Sequence, residues 1–246
     1  MADVVSVTGF ILSSMPVGDY DRRVVILSRE LGKIAAFAKG ARRPNSHLIG
    51  VTRPFIFGTF EVYRGRDSYT IQKANVTNYF EELVSDLDGV LYGYYFAELA
   101  EYYGRENLDA ADMINLLYVA FKALVNKSLP NELVRYIYEI RLIAVNGECP
   151  DFFSCAGCGR EKELQLYSYK ENGMYCVECA ASSGDGIVLQ SSTLYTLQYI
   201  ITAPLTKLFN FVVKADVLNE LKKVVNRIEF ITFDKHFKSK EMLDIG

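Results

Sequence analysis

The chain has 246 residues, of which 50% are hydrophobic and 23% charged, with a formal net charge of −3. That length accommodates one large or two smaller globular domains, and no run approaches the roughly eighteen or more apolar residues of a membrane span. The first residues carry neither the basic nor the apolar stretch of a secretory signal, so a soluble intracellular protein with reduced thiols is expected.

Charge is unevenly spread along the chain. Residues 1–80 hold eleven Lys or Arg against six Asp or Glu, whereas nine carboxylates face Arg105 alone in residues 81–112. Charge by itself leaves two readings open: a solvated charged face, or an N-terminal polyanion-binding module on a more acidic body.

The first 80 residues read as β-structure. Val5, Val7 and Ile11 fall on one face of a predicted strand, and Val25 and Leu27 on one face of a second. Ile34, Ala36 and Ala38 predict a third, alternating with Lys33, Ala35, Phe37 and Lys39. Turn signals fall at residues 15–19, 31–32 and 42–46. Strand-like runs at 55–63 and 68–77, joined by Arg64-Gly65-Arg66-Asp67, bring the total to five, the size of an OB-fold barrel. Beyond residue 80 the period becomes helical over 88–103, 109–126 and 130–145, which suggests a three-helix bundle, and again near 194–201 and 217–228. The expected fold is therefore α+β. A five-stranded OB-fold barrel occupies residues 1–80, and an α-helical domain over 81–246 carries an inserted four-cysteine zinc knuckle at 150–182, with short strands at 164–169 and 174–175.

Within the barrel, Lys39-Gly40-Ala41-Arg42-Arg43 is the densest functional candidate. A strand delivers three cations into a turn, where they can fan toward phosphates while Gly40 lets the backbone bend. Arg22, Arg23, Lys33, Arg64 and Arg66 complete the candidate nucleic-acid-binding set, and Arg53 and Lys73 are further cations of the module. Phe37, Phe55, Phe57, Phe60, Tyr63 and Tyr69 are interleaved with them, as in single-strand binders that stack bases on aromatics; strand alternation assigns about half of these rings to the core.

Cys155-Ala-Gly-Cys158 and Cys176-Val-Glu-Cys179 have the spacing of a tetrahedral zinc site. Four thiolates leave no open coordination position, so one structural zinc per chain is expected; an iron site of the same ligands, or a quartet that has lost its metal, are the alternatives. Cys149 reads as a small, buried spare. His47 and His236 read as surface residues; neither lies in a nucleophile arrangement, and neither a deaminase H-x-E segment nor a phosphate-binding G-x-x-x-x-G-K loop is present. No enzyme activity is expected.

Residues 18–28, with Leu31-Gly32-Lys33 and the 38–43 segment, resemble the N-terminal barrel of the bacterial RecO recombination mediators. Asn146-Gly147-Glu148-Cys149-Pro150, residues 155–159 and residues 173–179 resemble that family's helix end and zinc knuckle in the same order. The resemblance implies a cytoplasmic, nucleoid-associated DNA repair protein without nucleotide hydrolysis. It implies binding of single- and double-stranded DNA, annealing of complementary strands, and action with RecR to help load RecA on DNA coated by single-strand-binding protein. It also implies capture of that protein's acidic C-terminal tail on the helical domain, for which Arg135 and Arg141 are the cations to consider. Two other classes remain, a zinc-ribbon RNA-binding protein and a redox-regulated zinc chaperone. A preference for folded RNA would favour the first, and oxidant-triggered metal loss with holdase activity the second.

Overall fold

Period-two patterning in the first 80 residues builds a closed barrel. In the computed structural model, which describes residues 4–66, 68–127, 129–182 and 185–245, the strands are β1 (Val4–Val17), β2 (Asp21–Ser28), β3 (Gly32–Ala38), β4 (Phe57–Arg64) and β5 (Tyr69–Asn78). They close in the order β1-β2-β3-β5-β4, with β3 and β5 parallel and the other pairs antiparallel. This is the five-stranded OB-fold arrangement anticipated from the sequence. Asp67, the last residue of the anticipated β4–β5 turn, lies outside the described residues.

Closure depends on β1, whose first half pairs with β4 and whose second half pairs with β2, with a register shift between Ile11 and Ser13. Such an irregularity bends a strand, which lets one strand serve two neighbours. Gly9 and Gly58 face each other where the partners change. A Cβ on Gly9 would lie 1.8 Å from the Leu27 carbonyl oxygen, and one on Gly58 would lie 2.3 Å from that of Asn75, so the backbones meet at distances only glycine permits.

Val7, Ile11, Val24, Ile26, Ile34, Ala36, Ala38, Phe60, Val62 and Ile71 fill the barrel. On β2 the interior face is Val24 and Ile26, while Val25 and Leu27 share the opposite face. The latter pair is also buried, beneath helices on the outside of the sheet. A strand covered on both sides has no polar alternation to set its phase.

Those helices are α1 (Glu81–Ser85), α2 (Leu87–Tyr103) and α3 (Ala111–Val125). Phe121 of α3 is the hub of their contact with the barrel. Its ring lies 5.4 Å from Phe10, 5.2 Å from Phe55 and 5.4 Å from Phe80, each close to perpendicular. Edge-to-face packing of this kind adds to the apolar burial.

The chain forms two compact units, the first running to Asn126 and resuming at Phe237, the second spanning Lys127–His236. The second contains α4 (Asn131–Val145), β6 (Leu164–Ser168), β7 (Gly173–Cys176), α5 (Val177–Ala180), β8 (Ile187–Val188), α6 (Ser191–Thr202), α7 (Leu205–Leu208) and α8 (Ala215–Thr232). Its core is α4 against α6 and α8, while β7-β6-β8 form a small sheet. The three helices expected to form one bundle are therefore divided, α2 and α3 packing with the barrel and α4 with the second unit. The chain returns to the first unit as α9 (Lys238–Ile245), which packs on α2 beside Phe237, whose ring meets Tyr95 at 6.0 Å and Tyr102 at 5.6 Å. No described helix is long and apolar enough to cross a membrane.

Candidate nucleic-acid interface and metal centre

The turn after β3 is held by three backbone contacts. The Gly40 amide donates to Asp21 Oδ1 at 2.7 Å, the Arg42 amide to the Tyr20 carbonyl at 2.8 Å, and the Arg43 amide to the Gly40 carbonyl at 3.0 Å. Gly40 sits at φ +67°, the left-handed region that glycine enters without strain. Lys39, Arg42 and Arg43 consequently project as exposed side chains. The Arg43 guanidinium lies 5.1 Å from the centre of the Tyr20 ring, and Arg42 donates to the Gly18 carbonyl at 3.2 Å. Both are cations on a braced turn, with nitrogens left for a ligand.

Other members of the candidate set separate. Arg22 is half-buried and donates to the Ile49 carbonyl at 3.2 Å and to Thr52 Oγ1 at 3.1 Å. Thr52, fully buried, is itself anchored to the Leu48 carbonyl. Arg22 shares a concavity of roughly 260 Å³ with Arg42 and Arg53, lined also by Ser14, Pro16 and Pro54. Burial, and then the neighbouring Arg53 and Arg42 charges, hold Arg22 below the usual arginine value. Arg23 alternates to the other face of β2, opposite Met15 and Phe37. Arg64 and Arg66 stand exposed on the β4–β5 turn. The Lys33 ammonium donates to the Glu101 carbonyl at 2.6 Å, in the last turn of α2, where a cation complements the helix dipole. Arg53 stands outside the set predicted from sequence, because nothing in local spacing joins it to Arg22; only barrel closure does.

The aromatics divide as well. Phe55, Phe60 and Tyr69 are buried, and Phe57 packs against Phe10 and Tyr118. Phe37 and Tyr63 remain partly exposed.

In the second unit the four cysteines converge because β7 carries Cys176 while the first knuckle is bridged to the same strand at Cys155↔Met174. All four sulfurs lie within 4.8 Å of one another, with Cys158 and Cys176 at 3.7 Å. A tetrahedron with metal–sulfur bonds of about 2.3 Å has edges of about 3.8 Å, so the group is drawn to the size of one ion. Burial would raise the Cys155 thiol, but the amides of Cys176, Cys158 and Gly157 aimed at its sulfur bring it down to about 6. Hydrogen bonding to Cys158, Cys155 and Cys176 pushes Cys179 up to about 12. The donor set thus fits a metal ion closed to further ligands. Cys149 stands outside the quartet, its thiol pushed up to about 12 by burial.

Arg135 does not have the availability anticipated for it. It is buried, with Nε donating to Glu139 Oε1 at 2.7 Å and a terminal nitrogen 3.6 Å from Glu229 Oε2, so it is committed to α4 and α8. Glu229, one of its two partners, lies far along the chain, so sequence spacing gave no sign of this. Arg141 is half-buried and donates to the Ile200 carbonyl at 3.2 Å.

Comparison with known proteins agrees with this architecture. The family model described as Recombination protein O N terminal matches residues 1–80, and Recombination protein O C terminal matches residues 84–241. The chain is 30% identical to the DNA repair protein RecO of Acetivibrio thermocellus over 241 residues, which is 96% of this chain and 94% of that one. It is 27% identical to the namesake of Alkaliphilus metalliredigens, covering 97% and 98%, and 26% identical to that of Bacillus subtilis, covering 96% and 92%. Matched along both domains, the chain belongs to the RecO family of DNA repair proteins.

Proposed function

We propose that the protein is a recombination mediator that binds single- and double-stranded DNA through the barrel, anneals complementary strands, and acts with RecR to help load RecA on DNA coated by single-strand-binding protein. The observation that carries the proposal is the braced turn presenting Lys39, Arg42 and Arg43 on an OB-fold. Cations held on a fixed backbone engage phosphates with little ordering cost, and they read no sequence. In this reading residues 1–80 are the nucleic-acid module, to which Arg22, Arg23, Arg64 and Arg66 add further contacts, and residues 81–246 carry the protein-binding surfaces. Lys33 contributes through the field of the module, its ammonium being engaged with α2. The tail of single-strand-binding protein docks without Arg135. The Cys155, Cys158, Cys176 and Cys179 centre holds one zinc, which folds the knuckle and takes no part in chemistry.

Charge reversal at Lys39, Arg42 and Arg43 tests the assignment. The triple glutamate variant is expected to lose DNA affinity at physiological salt while keeping its metal, its fold and its affinity for a peptide of the tail. A folded variant with unchanged DNA affinity would move the interface off this turn.

A further inference from the structure

Arg22, Arg42 and Arg53 come from the start of β2, the turn after β3 and the approach to β4, and barrel closure sets them around one concavity of roughly 260 Å³. Among the described residues, no carboxylate pairs with any of the three. Arg22 is held in position by the Ile49 carbonyl and by Thr52, and Arg42 by the Gly18 carbonyl, so two of the guanidinium groups are fixed before any ligand arrives. Arg53 is exposed and makes no hydrogen bond among the described residues. Pro16 and Pro54 supply rigid apolar walls, and Ser14 adds a hydroxyl. Three like charges gathered around one concavity without a counterion repel one another in the free protein. Such an arrangement has a use only if an anion relieves it.

The geometry points to a discrete socket, formed by Arg22, Arg42 and Arg53, for a single phosphate group of a nucleic-acid strand. It is distinct from the outer Lys39 and Arg43 cations, and it rests on the DNA-binding reading given above. A planar guanidinium offers paired N–H donors matched to phosphate oxygens, and three of them around one concavity fix the position of one phosphate where the outer cations supply only attraction. The socket therefore registers the strand on the barrel. The phosphate has two possible sources, a diester within the strand or a monoester at its end. A monoester brings nearly two charges and only one covalent exit.

Arg53→Gln is the informative substitution, because Arg53 holds no part of the loop in place. The full chain and this variant are compared by thermal unfolding in chloride and in inorganic phosphate at equal ionic strength, and by anisotropy with oligothymidylates bearing a 5′-hydroxyl or a 5′-phosphate. In chloride the variant should melt at the same temperature or higher, since like charge has been removed. It should lose the stabilisation by phosphate and bind oligonucleotide about tenfold more weakly, the cost of one charge-assisted contact. A 5′-phosphate that tightens binding to the parent but not to the variant assigns the socket to a strand end, and equal weakening of both oligonucleotides assigns it to an internal diester. Unchanged phosphate stabilisation together with unchanged affinity overturns the socket. Loss of DNA binding in a Lys39→Glu, Arg43→Glu double variant beside an unaffected Arg53→Gln overturns the socket alone and leaves the DNA-binding turn standing. If neither variant changes DNA affinity, both readings fall.

Discussion

Arg135 sets one positive charge against the carboxylates of Glu139 and Glu229, and all three side chains are buried in the second unit. Burial, and then the Glu229 charge, raise Glu139 well above its ordinary value of 4.5, with Arg135 only partly opposing them. Between 4.5 and that raised value the folded state holds a proton that the unfolded chain has released, so stability declines as pH rises through this window and recovers below it. Glu139→Gln leaves Arg135 matched to Glu229 alone, and should flatten that decline with little loss of stability at neutral pH. Arg135→Met removes the common partner of two buried acids and should cost about 3–5 kcal/mol. Urea unfolding of both variants between acid and neutral pH measures the contrast; an Arg135→Met midpoint equal to the parent's would show that the acids need no partner. None of this was legible in the sequence, where Arg135 and Glu139 form an ordinary i, i+4 pair and Glu229 lies far along the chain.

At the scale of elements, the knuckle is where local spacing carried the most information. Two C-x-x-C turns specify a four-sulfur site wherever they meet, and the alternation of residues 164–176 supplies the hairpin that brings them together. Metal analysis of protein purified without added zinc should find about one ion per chain, and serine at any of the four positions should weaken folding of the second unit more than DNA contact by the barrel. Gly157 offers a subtler probe. A Cβ there would lie 3.1 Å from Cys179 Sγ, so Gly157→Ala should weaken the hold on metal in chelator competition with all four ligands intact. The barrel was legible for a different reason, since turn residues punctuate it regularly. The phase of β2 was not, because α2 and α3 cover its outer face and erase the polar alternation that phase is read from. The same covering explains Phe55 and Phe57, which resemble stacking platforms in sequence but pack with Phe121 and Tyr118 respectively. Phe121→Ala should cost about 3–5 kcal/mol by thermal unfolding. Because the exposed cations lie elsewhere, the folded fraction should keep its DNA affinity.

At the scale of the whole molecule, the proposed contact of a net-basic barrel with phosphates has defined consequences in solution. If four to six phosphates of a single strand are neutralised, the logarithm of the binding constant should fall against the logarithm of salt concentration with a slope of about −3 to −4. Binding should be nearly indifferent to sequence, and annealing should proceed without ATP. A slope near zero, or an ATP requirement in purified protein, would exclude this mechanism. The order of the chain bears on how the molecule is made. Helix α9 seals α2 of the first unit, yet it follows the entire second unit in sequence. A ribosome adding about 5–20 residues per second needs about 5–20 s to make the 110 residues between Asn126 and Phe237. During that interval the nascent barrel unit waits with the Phe237 seat beside Tyr95 and Tyr102 unfilled, while the second unit, continuous in sequence, is free to fold before the first is complete.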